Sequence, residues 1–201
     1  MFSDWRKLAR IETDVIPVGD HEYVRSDAVH FADTSPHSPA AVRYLQKRIG
    51  VPQSDPSDRS RILILRPPHH NGRAFTNMAE LSDLCRHYGI QQVSPETMSL
   101  EGQQELFSRS ALVIGALGSA NNGILFRRDA PLGLIEIFPP GVRFLRPWWF
   151  LMARVLGHHY DYLHTPDDSD DTQGKRLYLN DFDVNIPVLK RKIDSMLERL
   201  G

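Results

Sequence analysis

The sequence predicts an α/β fold: a Rossmann-like, doubly wound parallel sheet. From residue 61 onward, short apolar segments alternate with amphipathic segments of helical period, which is typical of a parallel sheet with helices on both faces. The strand segments carry few polar residues, as strands covered on both faces do. The predicted strands are 61–65, 90–93, 111–115, 132–138 and 160–163.

Capping residues and apolar periodicity predict the helices between these strands. Ser38, Ser99, Ser119 and Asp183 stand where N-caps are expected, and Gly89 stands where a helix ends. The predicted helices cover 40–48, 77–88, a segment opened by Ser99, a short segment 119–127, 148–156 and a segment after Asp183. Two further short strands are predicted over 14–18 and 23–31.

Composition and charge exclude several classes of function. The chain has 201 residues and a formal net charge of -1, so no overall field attracts nucleic acid, and we expect no nucleic-acid partner. Cys85 is the single cysteine and cannot form an internal disulfide. The apolar stretch 144–156 is too short and too charged to span a bilayer. We expect a cytoplasmic location, peripheral to the inner membrane at most.

Ligands of a doubly wound sheet bind beyond the carboxyl ends of its strands, here after residues 65, 114 and 137. After residue 114, Gly115 and Gly118 allow the backbone to turn and approach a ligand. Ser119 opens the following helix, whose free amides favour an anion such as a diphosphate, and Asn122 lies in its first turn. On spacing alone, an anion site and an ordinary strand-to-helix turn are equally favoured.

Two arginines follow the first strand of the sheet. Arg66 and Arg73 are predicted to clamp a phosphate by paired hydrogen bonds, and Asn77 to fix the segment that bears them. A solvated loop position is the alternative for Arg73. His69 and His70 are weak candidates for a catalytic base, and a metal-binding pair is not expected from adjacent histidines.

Glu136 is a carboxylate within the apolar run 132–138. A buried carboxylate needs a partner. Two interpretations stay open: a contact with a ribose or sugar hydroxyl, or a structural pair with an arginine or with backbone amides.

Taken in order, these motifs resemble those of glycosyltransferase family 61, which includes O-linked N-acetylglucosamine transferases, xylan-decorating enzymes and bacterial capsular-polysaccharide proteins. The resemblance covers residues 61–140 and extends weakly over 153–162. It rests on Arg66, Arg73, Asn77, Glu80-Leu81, the helix start 99–103 with Leu106-Phe107, the loop 115–120, Leu125-Phe126 and the segment 135–139.

The resemblance implies a GT-B fold of two Rossmann-like domains and an inverting transfer from a nucleotide sugar to a glycan acceptor. It implies no metal and no other cofactor, and suggests a role in bacterial surface polysaccharide biosynthesis. Residues 1–50 are then expected to be the remnant of an acceptor domain with its crossover, 51–60 a linker and 61–201 the donor-binding domain.

One departure from the family's pattern concerns Leu117, where many members have a histidine. Leu117 cannot donate to a phosphate or move a proton, so a non-catalytic nucleotide-sugar-binding module is a second hypothesis. A polysaccharide pyruvyltransferase is a third. Partners beyond the substrates would be a second copy of the chain or another transferase subunit.

Overall fold

The computed structural model describes residues 38–66, 73–142, 148–165 and 180–201, and within them the α/β prediction is confirmed. Five strands form one sheet in the order β2-β1-β3-β4-β5, and every neighbouring pair is parallel. The strands are β1 Ser60–Ile64, β2 Gln91–Val93, β3 Ser110–Ala116, β4 Gly133–Phe138 and β5 His159–His164.

The strand order reverses direction between β1 and β3. The chain moves from β1 to the edge strand β2, then crosses to the other side of β1 and continues through β3, β4 and β5. At such a switch point the connections leave the sheet toward opposite sides, and a crevice opens beyond the carboxyl ends of the two strands. The segments that follow β1 and β3 are therefore neighbours in space.

The helices occupy nearly the predicted segments. They are α1 Pro39–Arg48, α2 Met78–Tyr88, α3 Leu100–Arg109, α4 Trp148–Leu156 and α5 Ile186–Leu200, with 3₁₀ helices at Pro95–Thr97 and Ser119–Phe126. No helix in the described ranges is long and apolar enough to cross a membrane.

Local capping explains where these helices start and stop. Ser38 and Ser99 accept hydrogen bonds from the amides of Ala41 and Gly102, as predicted, and Gly89 ends α2 in the left-handed region. The predicted cap at Asp183 was wrong: Asn185 caps α5 by accepting from the amide of Val188.

Each face of the sheet carries its own apolar cluster. Alternate residues of a strand point to opposite faces, so Ile62 and Val113 pack with α1, α3, α4 and the second 3₁₀ helix. Leu63 and Leu112 pack on the other face with α2 and α5.

The segment ahead of the sheet is packed against it. Val42, Ile49 and Val51 are buried in the first apolar cluster. The Gln46 side chain donates to the Leu125 carbonyl at 2.9 Å. The region predicted as a linker therefore begins in the core, and the domain boundaries stay predictions. The strands predicted over 14–18 and 23–31 lie outside the described residues.

Arg127 is a fully buried cation that ties three segments together. Its guanidinium donates to the carbonyls of Pro131, Ser108 and Asp58 at 2.9, 3.0 and 3.2 Å. Burial lowers the pKa of Arg127, although a guanidinium stays charged in proteins. These bonds offset part of the cost of burying the charge and fix the C-terminal end of the second 3₁₀ helix.

The second 3₁₀ helix, Ser119–Phe126, packs closely on α3 at Gly123. A Cβ added to Gly123 would lie 2.3 Å from the ring of Phe107, and Phe107 is itself buried. No rotation of a buried phenyl ring in a closely packed core clears that overlap. Gly123 is therefore required by the space it leaves to Phe107.

We expect Gly123→Ala to lower the free energy of unfolding by about 1–3 kcal/mol, because an extra methyl forces either Phe107 or the 3₁₀ helix out of place. Urea denaturation monitored by circular dichroism measures this change.

Gly102→Ala is the matched control. Gly102 lies in the first turn of α3. A Cβ there would meet only Ser99 Oγ at 3.5 Å and Met98 Cβ at 3.7 Å. Alanine at this helical position should therefore stabilise the protein by about 0.5–1 kcal/mol. Equal effects of the two substitutions would contradict the packing argument.

Candidate functional site

A cleft of about 240 Å³ lies at the carboxyl edge of the sheet, over β2, β1 and β3. It coincides with the switch point of the topology, where doubly wound sheets bind ligands. Its polar lining comes from Arg66 after β1, Glu96 after β2, Gln103 on α3, and Ser119 and Asn122 on the second 3₁₀ helix.

Arg66 extends its guanidinium across the loop that follows β3. A Cβ added to Gly118 would lie 3.4 Å from Nη2 and 3.6 Å from Cζ of Arg66, so the guanidinium lies directly against the Gly118 backbone. The Nη1 atom is buried and has no acceptor among the described residues. A buried donor without an acceptor is costly, and an anionic ligand oxygen would satisfy it.

Arg73 also contacts the loop that follows β3. Its Nη1 atom donates to the Leu117 carbonyl at 2.8 Å. The backbone of Arg73 has φ 69°, a left-handed conformation that is rare outside glycine, and its amide donates to the Asn180 carbonyl at 3.1 Å. The structure thus brings both predicted arginines to Leu117–Gly118, while their role in donor binding stays a prediction.

The start of the helix after β3 differs from the prediction. Gly118 stands at the N-cap position, and Ser119 is the first helical residue instead of the cap. Gly118 has φ 174°, extended backbone that any residue adopts, so a tight turn does not explain the glycine. Its missing side chain leaves room for the guanidinium of Arg66. Ser119 is exposed and lines the cleft.

Gly115, Asn121 and Asn122 make the contacts that position this loop on the sheet. A Cβ at Gly115 would lie 2.7 Å from Oδ1 of Asn121, whose Nδ2 donates to the Ala116 carbonyl at 3.3 Å. Asn122 lines the cleft and accepts from Nε1 of Trp149 at 3.0 Å. Gly115 therefore supports the loop, and Asn122 lies where a ligand is expected.

Asn77 pairs with a distant part of the chain. Its Nδ2 donates to the Val184 carbonyl and its Oδ1 accepts from the Val184 amide, both at 2.9 Å. A parallel bridge between Phe75 and Phe182 adjoins this pair. Because the protein uses both ends of the amide, Asn77 supports Arg73 and is not itself directed to the cleft.

Glu136 is a buried structural carboxylate and does not reach the cleft. It is 0% exposed, and its Oε2 accepts from the Tyr160 hydroxyl at 2.7 Å. Burial raises the pKa of Glu136 to about 7, against the lowering effect of the Tyr160 bond. The interpretation as a ribose or sugar contact is therefore not supported by its position, and its partner is a tyrosine instead of an arginine.

Leu117 and the two histidine candidates contribute no described side chain to the cleft. Leu117 is 7% exposed and packs in the first apolar cluster. His69 and His70 lie outside the described residues. Across the described ranges, no group of three histidine, cysteine or acidic side chains is placed to hold a metal ion; independence from metal stays a prediction.

Sequence reasoning did not assign Pro95, Glu96 or Gln103 to the cleft, although Gln103 belongs to the family-like helix start 99–103. The signal for Pro95 and Glu96 was present, because they follow β2 directly and the rule of carboxyl strand ends applies to every strand of a parallel sheet. Gln103 lies on α3, which returns from β2 to β3, and only the fold shows that its side chain turns toward the cleft.

The sequence was compared with models of known protein families and with curated proteins. A family model described as Glycosyltransferase 61 matches residues 15–134, more than half of the chain. The match includes Arg66, Arg73 and the Gly115–Ser119 loop, and it ends just before Glu136. No curated protein matches the chain.

The raised pKa of Glu136 gives a stability that depends on pH. A carboxyl whose pKa rises from 4.5 in the unfolded chain to about 7 in the folded protein stabilises the fold at low pH. That contribution is lost as the pH rises through the pKa that Glu136 has in the folded protein. Between about pH 5 and pH 8, the wild type should lose roughly 2 kcal/mol of unfolding free energy relative to Glu136→Gln.

Urea denaturation of both proteins across this range measures the difference. The glutamine keeps an oxygen that can accept from the Tyr160 hydroxyl. The pH dependence that His158 contributes is the same in both proteins and cancels in the comparison. Burial lowers the pKa of His158 to about 4, so the stability it contributes is lost as pH falls from its ordinary value. Parallel pH profiles for wild type and variant would show that Glu136 is ionised throughout.

Proposed function

Since the chain belongs to glycosyltransferase family 61, we propose that it transfers a sugar from a nucleotide-sugar donor to a glycan acceptor. The donor diphosphate lies in the cleft at the switch point, against Gly118 and Ser119. Arg66 and Arg73 neutralise its charge, and the Arg66 contacts hold the leaving nucleotide as the bond to the sugar breaks.

The observation that carries this proposal is the convergence of two guanidiniums on one glycine-containing loop. Arg66 lies within 3.4 Å of the position that a Cβ of Gly118 would take, and Arg73 holds the adjacent Leu117 carbonyl. The chain as a whole has a net charge of -1, so this local positive charge is not part of a general basic surface. A planar guanidinium pairs well with phosphate oxygens.

The backbone adds to the same anion site. The 3₁₀ helix begins at Ser119, and the first amides of a helix point outward, without partners in the helix itself. A phosphate oxygen at this position is met by amides on one side and guanidinium groups on the other.

The finer features of the proposal come from the family resemblance. They are an inverting reaction without metal, a GT-B arrangement with an acceptor domain facing this cleft, and a role in bacterial surface polysaccharide biosynthesis. An inverting transfer needs a base for the acceptor hydroxyl. His69 and His70 are our candidates, since they lie between Arg66 and Arg73 in the sequence. The family assignment favours glycosyl transfer over the pyruvyltransferase alternative.

We expect Arg66→Ala to weaken binding of nucleoside diphosphates by about ten- to a hundredfold, because charge-assisted phosphate contacts contribute ~1.5–3 kcal/mol. Isothermal titration calorimetry with UDP, GDP and CDP, and with the UDP-, GDP- and CMP-sugars, measures this loss of affinity. It also identifies which nucleobase the protein prefers.

Arg59→Ala is the control for a general loss of positive charge. Arg59 immediately precedes β1, at the opposite edge of the sheet, and its guanidinium donates to the Pro56 carbonyl at 3.0 Å. We expect wild-type affinity from this variant. A wild-type protein that binds none of these nucleotides, or an Arg66→Ala variant that binds them unchanged, would refute the proposal.

A binding module without catalysis is the second candidate, and the burial of Leu117 favours it. Where many family members have a histidine, this chain places an aliphatic side chain in the core. We expect a catalytic chain to release nucleotide from its donor when glycan acceptors are supplied, and His69→Ala or His70→Ala to slow release without weakening donor binding. Tight donor binding with no release for any acceptor would identify a binding module.

A further inference from the structure

The cleft carries unlike charges along its length. Across the carboxyl edge the strand order places Glu96 after β2, Arg66 after β1 and Ser119 after β3. Neighbouring strands lie about 4.8 Å apart, so the positive centre at Arg66 has a carboxylate on one side and the 3₁₀ helix on the other. The side chain of Glu96 is exposed to solvent and accepts no hydrogen bond from the described part of the chain.

This arrangement restricts what the β2 end can bind. An ionised carboxylate repels a diphosphate, whereas it accepts strong hydrogen bonds from hydroxyl groups. A nucleotide sugar has hydroxyl-bearing groups on both sides of its diphosphate: the ribose with its base on one side, and the transferred sugar on the other. If the diphosphate lies at Arg66 and Gly118, one of these groups must lie over β2 and the other over β4.

The nucleoside fits the β2 end better than the sugar does. The cleft encloses about 240 Å³, less than the 300–1,000 Å³ or so of a complete ligand pocket, so it holds one part of the donor. Besides its polar side chains, the cleft is lined by the apolar residues Ile64, Leu65 and Pro95, which suit a flat base next to a ribose. Dinucleotide-binding Rossmann domains hold the ribose 2′-hydroxyl with an acidic side chain about 20 residues past their glycine-rich turn, so a carboxylate at a strand end of such a sheet is suited to a ribose.

We propose that Glu96 is the ribose-binding residue of this chain, accepting hydrogen bonds from the 2′- and 3′-hydroxyls of the donor nucleotide. The nucleoside then lies over β2, with the amide of Gln103 beside the base, and the transferred sugar points toward the carboxyl end of β4. This inference rests on the proposed function and fixes the direction in which the donor lies in the cleft.

The test compares Glu96→Gln with the wild type by calorimetry, using the ribonucleoside diphosphate that binds best, its 2′-deoxy analogue and inorganic pyrophosphate. We expect Glu96→Gln to weaken the ribonucleotide about tenfold, which is ~1.4 kcal/mol. The same substitution should leave pyrophosphate unchanged or bound more tightly. The preference of the wild type for ribose over deoxyribose should shrink in the variant.

Glu101→Gln is the matched control. Glu101 is an exposed carboxylate in the first turn of α3, outside the cleft lining, and we expect it to leave all three affinities unchanged. If Arg66→Ala weakens nucleotide binding while Glu96→Gln keeps the full ribose preference, the ribose assignment is wrong and the proposed function stands. If the wild type binds neither nucleotides nor pyrophosphate, both are wrong.

Discussion

The position of one short 3₁₀ helix, Ser119–Phe126, determines the geometry of the whole cleft. Its close approach to α3 depends on the space left at Gly123, which the ring of Phe107 fills. Three side chains then fix it: Asn122 accepts from Trp149, a His158 ring nitrogen lies 3.2 Å from the Ile124 carbonyl, and Arg127 closes the end. Since these contacts come from α3, α4 and the core, the loop at Gly118 is presented by the rigid part of the domain.

The site itself is assembled from segments that are far apart in the sequence. Arg66 follows β1, Glu96 follows β2 and Ser119 follows β3, and only the crossing of the chain at the switch point makes them neighbours. This division separates the tasks. The core positions the backbone, while the side chains that we propose contact the ligand come from the ends of strands, where substitution costs the fold little.

Much of this architecture could be read from the sequence, because buried strands and amphipathic helices leave a periodic apolar pattern. The rule of carboxyl strand ends directed attention to Arg66 and Arg73, and the structure brings both to the Leu117–Gly118 loop. It did not reveal Glu96, since only three strand ends were considered. The cap of α5 was predicted at Asp183, whereas Asn185 caps the helix; aspartate and asparagine cap equally well, so residue type does not distinguish them. The partner of Glu136 was hidden for a different reason: Tyr160 lies on β5, and only strand pairing brings the two together.

The pairing of Asn77 with Val184 has a consequence for the C-terminal region. The Arg73 amide donates to the Asn180 carbonyl, and the neighbouring Ala74 and Thr76 pair with the backbone of Phe182. Asn180 and Phe182 precede α5 and belong to none of the five strands. A stop codon shortly after β5 would remove this anchor together with α5, whose buried Leu189 and Ile193 cover one face of the sheet. The segment from Asn180 to Val184 thus holds in place an arginine that lies more than a hundred positions earlier in the chain.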